Sequence, residues 1–364
     1  MSPLVSILLP VYNGERHLEA AVNSALAQTE NDFELIIVDD QSTDGSYRIA
    51  EELAGKDSRI KLSKNEKNLG LFANYNRCIA QAQGEFLKPF AQDDILSPNA
   101  LEKMLHVLRS DSSIALVSGA CNILDEQGKV SRTRSTFKDS RKIRGVDVIL
   151  YNLLAVTNWV GEPSTVMYRR AFAGTGFDTN LFHSGDLEMW FRVLQNGDYY
   201  FLDECVAGFR RHAGSATNNN LRGLLFALDS VLLFKNYGRF IREAGIPDEL
   251  YMRSVAEYAA LQLDALVRES GLTVSDTLKA ARKGARIGIS DDDEAVALRL
   301  MDAFAQLSFY TLRCLTHTLA ELSDVRCRLE SDKEYLSRKL QHMEQSTSWR
   351  LTAPIRKLLS SSNS

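Results

Sequence analysis

Two pairs of adjacent aspartates carry the clearest chemical signal in this sequence, because each closes a run of apolar residues. In IIVDDQSTDG (residues 36–45), Asp39 and Asp40 follow the aliphatic stretch Leu35–Val38. In GEFLKPFAQDD (residues 84–94), Asp93 and Asp94 come just after Glu85–Phe90. Adjacent carboxylates at the end of a buried strand are costly unless something uses them. A carboxylate of the first pair can accept the imide N–H of uracil or thymine, a directional contact that distinguishes a base. The second pair suits Mg2+ or Mn2+. One or two carboxylates hold such an ion while phosphate oxygens take other positions, and a departing pyrophosphate needs its charge neutralised. Helix capping is the plainer reading of any such acid, and it suffices for Asp44. One pair says little; two pairs, each after an apolar strand, point to a site.

A third acid, Asp186, lies at the start of SGDLEMWFRVLQNGDYYFLDECVAGFRRHAGSAT (residues 184–217). Asp186, Met189, Trp190 and Val193 recur at helical spacing, which predicts a helix that buries one face, with Asp186 able to cap it.

The elements that must position these acids alternate in type. Val5–Pro10, Phe33–Val38, Ile60–Leu62, Glu85–Phe90 and Ala115–Cys121 read as strands, and Glu15–Gln28 and Asp44–Ala54 as helices. Such alternation implies an α/β domain, a mostly parallel sheet with helices on both faces. Ligands of these sheets bind outside the carboxyl ends of the strands. Pro10–Gly14, Asp39–Asp44 and Gln92–Asp94 therefore share one rim.

Composition narrows the class. The chain has 364 residues, 45% hydrophobic and 25% charged, enough for one large domain and an appendage. A net charge of −4 gives no global attraction for nucleic acid, and no nucleic-acid partner is expected. Five scattered cysteines without a CxxC pair argue against a disulfide framework and a thiolate zinc site, and fit a reducing compartment. The start, MSPLVSILLPVYNG, does not read as a signal peptide, and no stretch approaches the roughly 20 apolar residues of a membrane span. A soluble protein, at most resting on a membrane, is expected.

PVYNG (Pro10–Gly14), VDDQSTDG (Val38–Gly45), NLGLFANYN (Asn68–Asn76) and GEFLKPFAQDD (Gly84–Asp94) resemble, in order and spacing, the family 2 nucleotide-sugar glycosyltransferases of the GT-A (Rossmann-like) fold. The resemblance extends over residues 4–215. It implies that Pro10, Tyr12 and Asn13 line the base and ribose pocket and that Asp40 bonds the pyrimidine. Asn68, Gly70 and Asn76 join the same donor-binding set. It further implies that Asp93 and Asp94 serve ribose and metal, with Asp94 the metal ligand, and that Asp186 is the base that deprotonates the acceptor hydroxyl, with Glu188 the fallback. His212 matches a histidine near the diphosphate that sometimes ligates the metal. Two positions depart from the pattern: Ala91 replaces an acid that often precedes the paired aspartates, and Gly185 replaces the usual Glu before the base. Arg210 and Arg211 either bind phosphate or sit on a solvated strand edge. Gly161–Arg170 resembles the acceptor-side strand, and nearby Trp159 either stacks on a sugar or fills the core.

Beyond this domain (1–220), residues 221–311 read as helical. Within 312–345, Leu315, Leu319, Leu322, Leu329, Leu336, Leu340 and Met343 keep heptad steps, either a short coiled coil or an amphipathic helix packed on the preceding region. The tail, 346–364, carries WRLTAPIRKLL, which can lie on an anionic membrane surface, dock on a partner, or fold back on its own domain. The expected function is inverting transfer of a hexosyl or deoxyhexosyl group from a UDP- or dTDP-sugar to a glycan or lipid-linked oligosaccharide hydroxyl. The expected setting is bacterial surface-polysaccharide assembly, by a cytoplasmic enzyme peripheral at the inner membrane. It would form a homo-oligomer or a complex with other glycan-assembly enzymes. The competing reading is a catalytically silent scaffold of the same fold. A sugar nucleotidyltransferase is rejected, because PVYNGERHL lacks the glycine-rich basic loop that holds a triphosphate.

Overall fold

The computed structural model describes residues 2–181, 183–211, 225–248, 251 and 255. Within them, strands β1 (Val5–Val11), β2 (Phe33–Asp39), β3 (Ile60–Lys64) and β4 (Phe86–Pro89) pair in parallel in the order β3-β2-β1-β4. Every residue of β1 and β2 is buried, as strands covered on both faces require, and their sequences are mostly apolar, with buried Ser6 donating to Glu34 across the pair at 2.7 Å. Helix α1 (Leu18–Leu26) buries Leu18, Ala21, Val22 and Ala25, one stripe at helical spacing. With α4 (Ala100–Ser110) it packs on Val5, Ile7, Leu9 and Val11 of β1. Helix α3 (Leu71–Gln81) packs on β1 and β2 too, leaving α2 (Ser46–Ala54) against α1 and β3. Truncating a fully buried leucine such as Leu9 to alanine in such a core costs roughly 2–5 kcal/mol.

The second half of the sheet changes direction. After β5 (Ile95–Leu96), β6 (Ile114–Leu124), β7 (Val130–Arg134), β8 (Arg141–Ile143) and α5 (Gly145–Ala155), strand β9 (Val166–Arg169) inserts antiparallel between β4 and β6. Helix α6 (Gly185–Leu194) then leads into β10 (Asp198–Arg210), parallel to β6, so the sheet is mostly parallel but joined across one reversed strand. This reversal brings the 156–165 connection beside the loop that carries Asp93 and Asp94, where Lys88 Nζ donates to the Pro163 and Ser164 carbonyls.

Of the expected helical region, α7 (Leu225–Tyr237) and α8 (Arg239–Glu243) are described, and both pack against α5. No helix among the described residues is long and apolar enough to cross a membrane. The remainder of 221–311, the heptads of 312–345, the tail 346–364 and His212 lie outside the described residues.

Candidate active site

The loops that follow the parallel strands form one rim of the sheet. Tyr12 N–H donates to Gln92 Oε1 and Gln92 Nε2 returns a bond to the Tyr12 carbonyl, both at 2.9 Å. Asn13, at φ +49°, accepts the Thr43 amide on Oδ1 and donates its own amide to Ser42 Oγ. Asp44 accepts from Glu15 N–H and from the Ser46 amide and hydroxyl at the start of α2, which ties the two loops together. The rim expected from the strand ends is thus one hydrogen-bonded unit, with Tyr12 half exposed on it. Pro10 lies inside β1, where it pairs with Val38.

Asp40 is buried and takes several donors. Its Oδ1 accepts Asn65 Nδ2 (2.7 Å) and Leu69 N–H (2.9 Å), and its Oδ2 accepts Gly70 N–H (2.9 Å). Asn68 Oδ1 accepts the Gly70 amide as well, at 3.1 Å, so the Asn68–Gly70 turn is clasped by Asp40. Asp39 is fully buried beside Lys64 (3.6 Å), and its Oδ1 has no hydrogen-bond partner. Asn76 is engaged with Phe177. Its amide donates to the Phe177 carbonyl (2.8 Å) and accepts the Phe177 N–H (2.6 Å), which pins α3 to the segment before the base helix.

Asp94 shows what a cation would correct. Oδ1 accepts the Arg210 amide at 2.9 Å, whereas Oδ2 is buried without a hydrogen-bond partner. Burial, with the neighbouring Asp93 charge, pushes Asp94 up to about 8. An enclosed, unpaired carboxylate oxygen beside a second carboxylate fits a divalent ion, which would favour the ionised form of both. No group of three or more His, Cys, Asp or Glu converges for metal among the described residues, so phosphate oxygens and water would complete the shell.

Asp186 stands in the first turn of α6. Its residue is only half-buried, but its carboxylate is enclosed. Oδ1 accepts the Leu187 amide (2.7 Å) and Oδ2 accepts Asn158 Nδ2 (3.1 Å). Burial first, then the Glu162 charge, pushes Asp186 up to about 8. The acids share one neighbourhood: Tyr75, a buried phenol under α3, is raised well above its ordinary value by burial first and, among its further causes, by the charges of Asp94, Asp93 and Asp186. Beneath them Tyr75 stacks on Phe177 (4.9 Å), which in turn meets Trp190 of α6 edge-on (6.1 Å). This aromatic floor explains one departure from the family pattern. A Cβ at Gly185 would lie 2.5 Å from the Phe72 ring, so Phe72 occupies the space that a side chain before the base would need.

Three sequence expectations are corrected. Arg210 neither waits for phosphate nor lines a solvated edge: it is buried, and its guanidinium donates to the Asp93, Asp125 and Glu126 carbonyls. Glu188, the fallback base, is held by Arg192 (2.9 Å) and by Tyr237 Oη (2.6 Å), a structural network on the far side of α6. Trp159 is not a core residue; it is 41% exposed.

Three residues beside these acids were not singled out from sequence. Asn158 sits in a turn closed by its own bonds to Gly161 N–H (3.0 Å) and Gly161 C=O (3.2 Å), with Gly161 at φ +126°. Trp190 Nε1 donates to that same carbonyl, tying the turn to α6. Glu162, paired with Arg134 at 2.9 Å, is close enough for its charge to raise both Asp94 and Asp186. Lys88, fully buried, donates to the Pro89, Pro163 and Ser164 carbonyls, and burial pushes it down to about 7. Lys88 left a trace in the sequence as a charge within the apolar FLKPF, and Glu162 falls within Gly161–Arg170, the stretch that resembles the acceptor-side strand.

With this geometry in place, known proteins can be compared. Residues 6–176 match the family described as Glycosyl transferase family 2. The putative glycosyltransferase EpsE of Bacillus subtilis (strain 168) is 38% identical over 240 residues, 64% of this chain and 80% of EpsE. The putative teichuronic acid biosynthesis glycosyltransferase TuaG of the same organism is 29% identical, over 60% of this chain and 82% of TuaG. The crystal structure of S. aureus TarS in complex with UDP-GlcNAc shares the fold, with a TM-score of 0.55 at 19% identity, covering 85% of this chain and 89% of that one. The chain belongs to the family 2 glycosyltransferases. It is a glycosyltransferase built on a GT-A-like α/β fold.

Proposed function

We propose that this glycosyltransferase inverts the anomeric centre in a single displacement, with Asp186 as base and Asp94, aided by Asp93, as the seat of the divalent ion. The observation that carries the reading is the pair of acids themselves: Asp94 keeps a buried oxygen without a hydrogen-bond partner, Asp186 is held by Asn158, and burial pushes both up to about 8. Structural carboxylates are normally stabilised as anions; acids held near neutral pH mark sites where protons or cations are exchanged.

In the proposed reaction, Asp186 takes the proton of the acceptor hydroxyl as that oxygen bonds to the anomeric carbon. The bond from that carbon to the diphosphate oxygen breaks on the opposite face, and the nucleoside diphosphate leaves. A base with a value near the working pH combines ionisation with proton affinity. Asn158 holds the accepting carboxylate in place. A bound Mg2+ or Mn2+ would supply charge neutralisation for the departing diphosphate.

For the donor we read a UDP- or dTDP-sugar, with the imide N–H sharing Asp40 with the Leu69 and Gly70 amides. Resemblance to a protein named for teichuronic acid synthesis supports a surface-polysaccharide glycan or lipid-linked acceptor, at the cytoplasmic face of a bacterial membrane. The test is a screen of UDP-, dTDP- and GDP-sugars for metal-dependent release of nucleoside diphosphate. Release from none of them overturns catalysis in favour of the silent scaffold. Tight GDP binding with none for UDP or dTDP overturns the donor class.

A further inference from the structure

Trp159 and Tyr151 are large aromatic side chains left 41% and 52% exposed, and they face each other with centroids 6.2 Å apart and planes 24° from parallel. Folding provides no reason to expose this much flat apolar surface, since both residues could bury it. Their backbone is firmly set. Trp159 N–H donates to Asn152 Oδ1 (2.6 Å), and its carbonyl accepts Thr136 Oγ1 (3.2 Å). Val156, a β-branched residue, is held at φ +47° where α5 ends, a strained conformation that persists only where surroundings enforce it. The strained exit delivers Asn158 to Asp186 and, one residue on, Trp159 to the surface. Trp159 directly follows Asn158, so a single peptide link joins the aromatic pair to the residue that holds Asp186. Beside the pair lies an apolar hollow with Val148 and Tyr199 buried in its lining.

We propose that Tyr151 and Trp159 form an acceptor subsite that stacks the pyranose ring next to the one presenting its hydroxyl to Asp186. The inference rests on Asp186 being the base. The chemistry is that of an aromatic face: its negative quadrupole attracts the slightly positive C–H bonds on one face of a sugar ring. The ring edges, which carry hydroxyls, find a polar neighbour in Thr136, whose hydroxyl bonds the Trp159 carbonyl. A protein partner is a poorer fit, because stable interfaces bury about 800 Å² on each side and this patch is two side chains wide.

The test uses the full chain with its donor, a panel of methyl glycosides, and the matching disaccharide glycosides as acceptors. Wild type should use the disaccharides better. Trp159→Ala and Tyr151→Ala should each lower kcat/KM for disaccharides at least tenfold relative to the monosaccharides, and Trp159→Phe should restore most of the difference. Saccharide titration should also change tryptophan fluorescence in wild type more than in Trp159→Phe. Equal losses for both acceptor lengths, no loss, or a panel that leaves the fluorescence of both proteins alike overturns the subsite. A fluorescence change produced by alkyl chains and not by sugars overturns it in favour of lipid. Nucleoside diphosphate release by the wild-type chain is followed alongside, and its absence sinks the catalytic reading itself.

Discussion

Asn158→Ala separates a tuned base from a merely structural acid. The Asn158 amide donates to Asp186 Oδ2 at 3.1 Å, and this bond strengthens when the carboxylate is ionised. Hydrogen bonds to charged groups contribute about 1.5–3 kcal/mol net. At 1.36 kcal/mol per pKa unit, losing it should raise Asp186 by about one to two units. Asp186 already sits at about 8, so about a tenth of it is ionised at pH 7 in the free enzyme. In the variant that fraction should fall to about a hundredth or less. The assay is kcat/KM against pH, which reports the groups of the free enzyme. Activity at pH 7 should drop about tenfold or more, the rising limb should move from near 8 to 9 or above, and most of the loss should be recovered at high pH. Asn158→Asp should move the limb further, because a second carboxylate would then face Asp186. The variant also loosens the Gly161 turn, so its urea midpoint is measured in parallel. A uniform loss at every pH, with the limb unmoved, would refute the tuning and leave Asn158 a turn-former.

Other substitutions probe the rest of the site. Asp186→Asn should retain donor binding, followed by calorimetry, while transfer falls by orders of magnitude; near-normal transfer would remove Asp186 as base. Asp94→Asn should abolish turnover and metal dependence, yet stabilise the metal-free fold. The folded value of Asp94 is raised from 3.8 to about 8, so the native state keeps its proton while the unfolded chain releases it, and stability falls as pH rises across that window. The variant should therefore show a shallower loss of denaturant midpoint between pH 4 and 8, and an identical slope would count against the shift. Gly185→Ala should destabilise by about 1–3 kcal/mol in urea unfolding through its clash with Phe72, and Phe72→Leu should relieve part of it. Deleting residues 315–364, with their leucine heptads, should weaken self-association and membrane recovery while leaving donor hydrolysis largely intact; unchanged solution mass and fractionation would refute that role.

The sequence by itself determined the alternating α/β plan, the strands that became β1, β2 and β4, and the acids at their carboxyl ends. Those signals are local: an apolar run such as LIIV must be buried wherever it lies, and an acid directly after it falls at the strand's end. Even so, α1 begins at Leu18 and not at Glu15, because Gly14–His17 is closed into a turn by the backbone bond from His17 to Gly14. Only the tertiary structure decided which acids are free and which are engaged. Asp40 and Asp94 look alike as strand-end carboxylates, but amides from the 69–70 turn reach the first, while the second keeps a buried oxygen with no partner. Arg210 turned inward because the carbonyls of residues 93, 125 and 126 converge on it from two loops. Asn158 carries no motif, and nothing in GEPSTVMYRR singles out Glu162. They reach the site because β9 runs antiparallel between β4 and β6, and strand pairing across that distance depends on contacts between residues far apart in the chain, which no local pattern encodes.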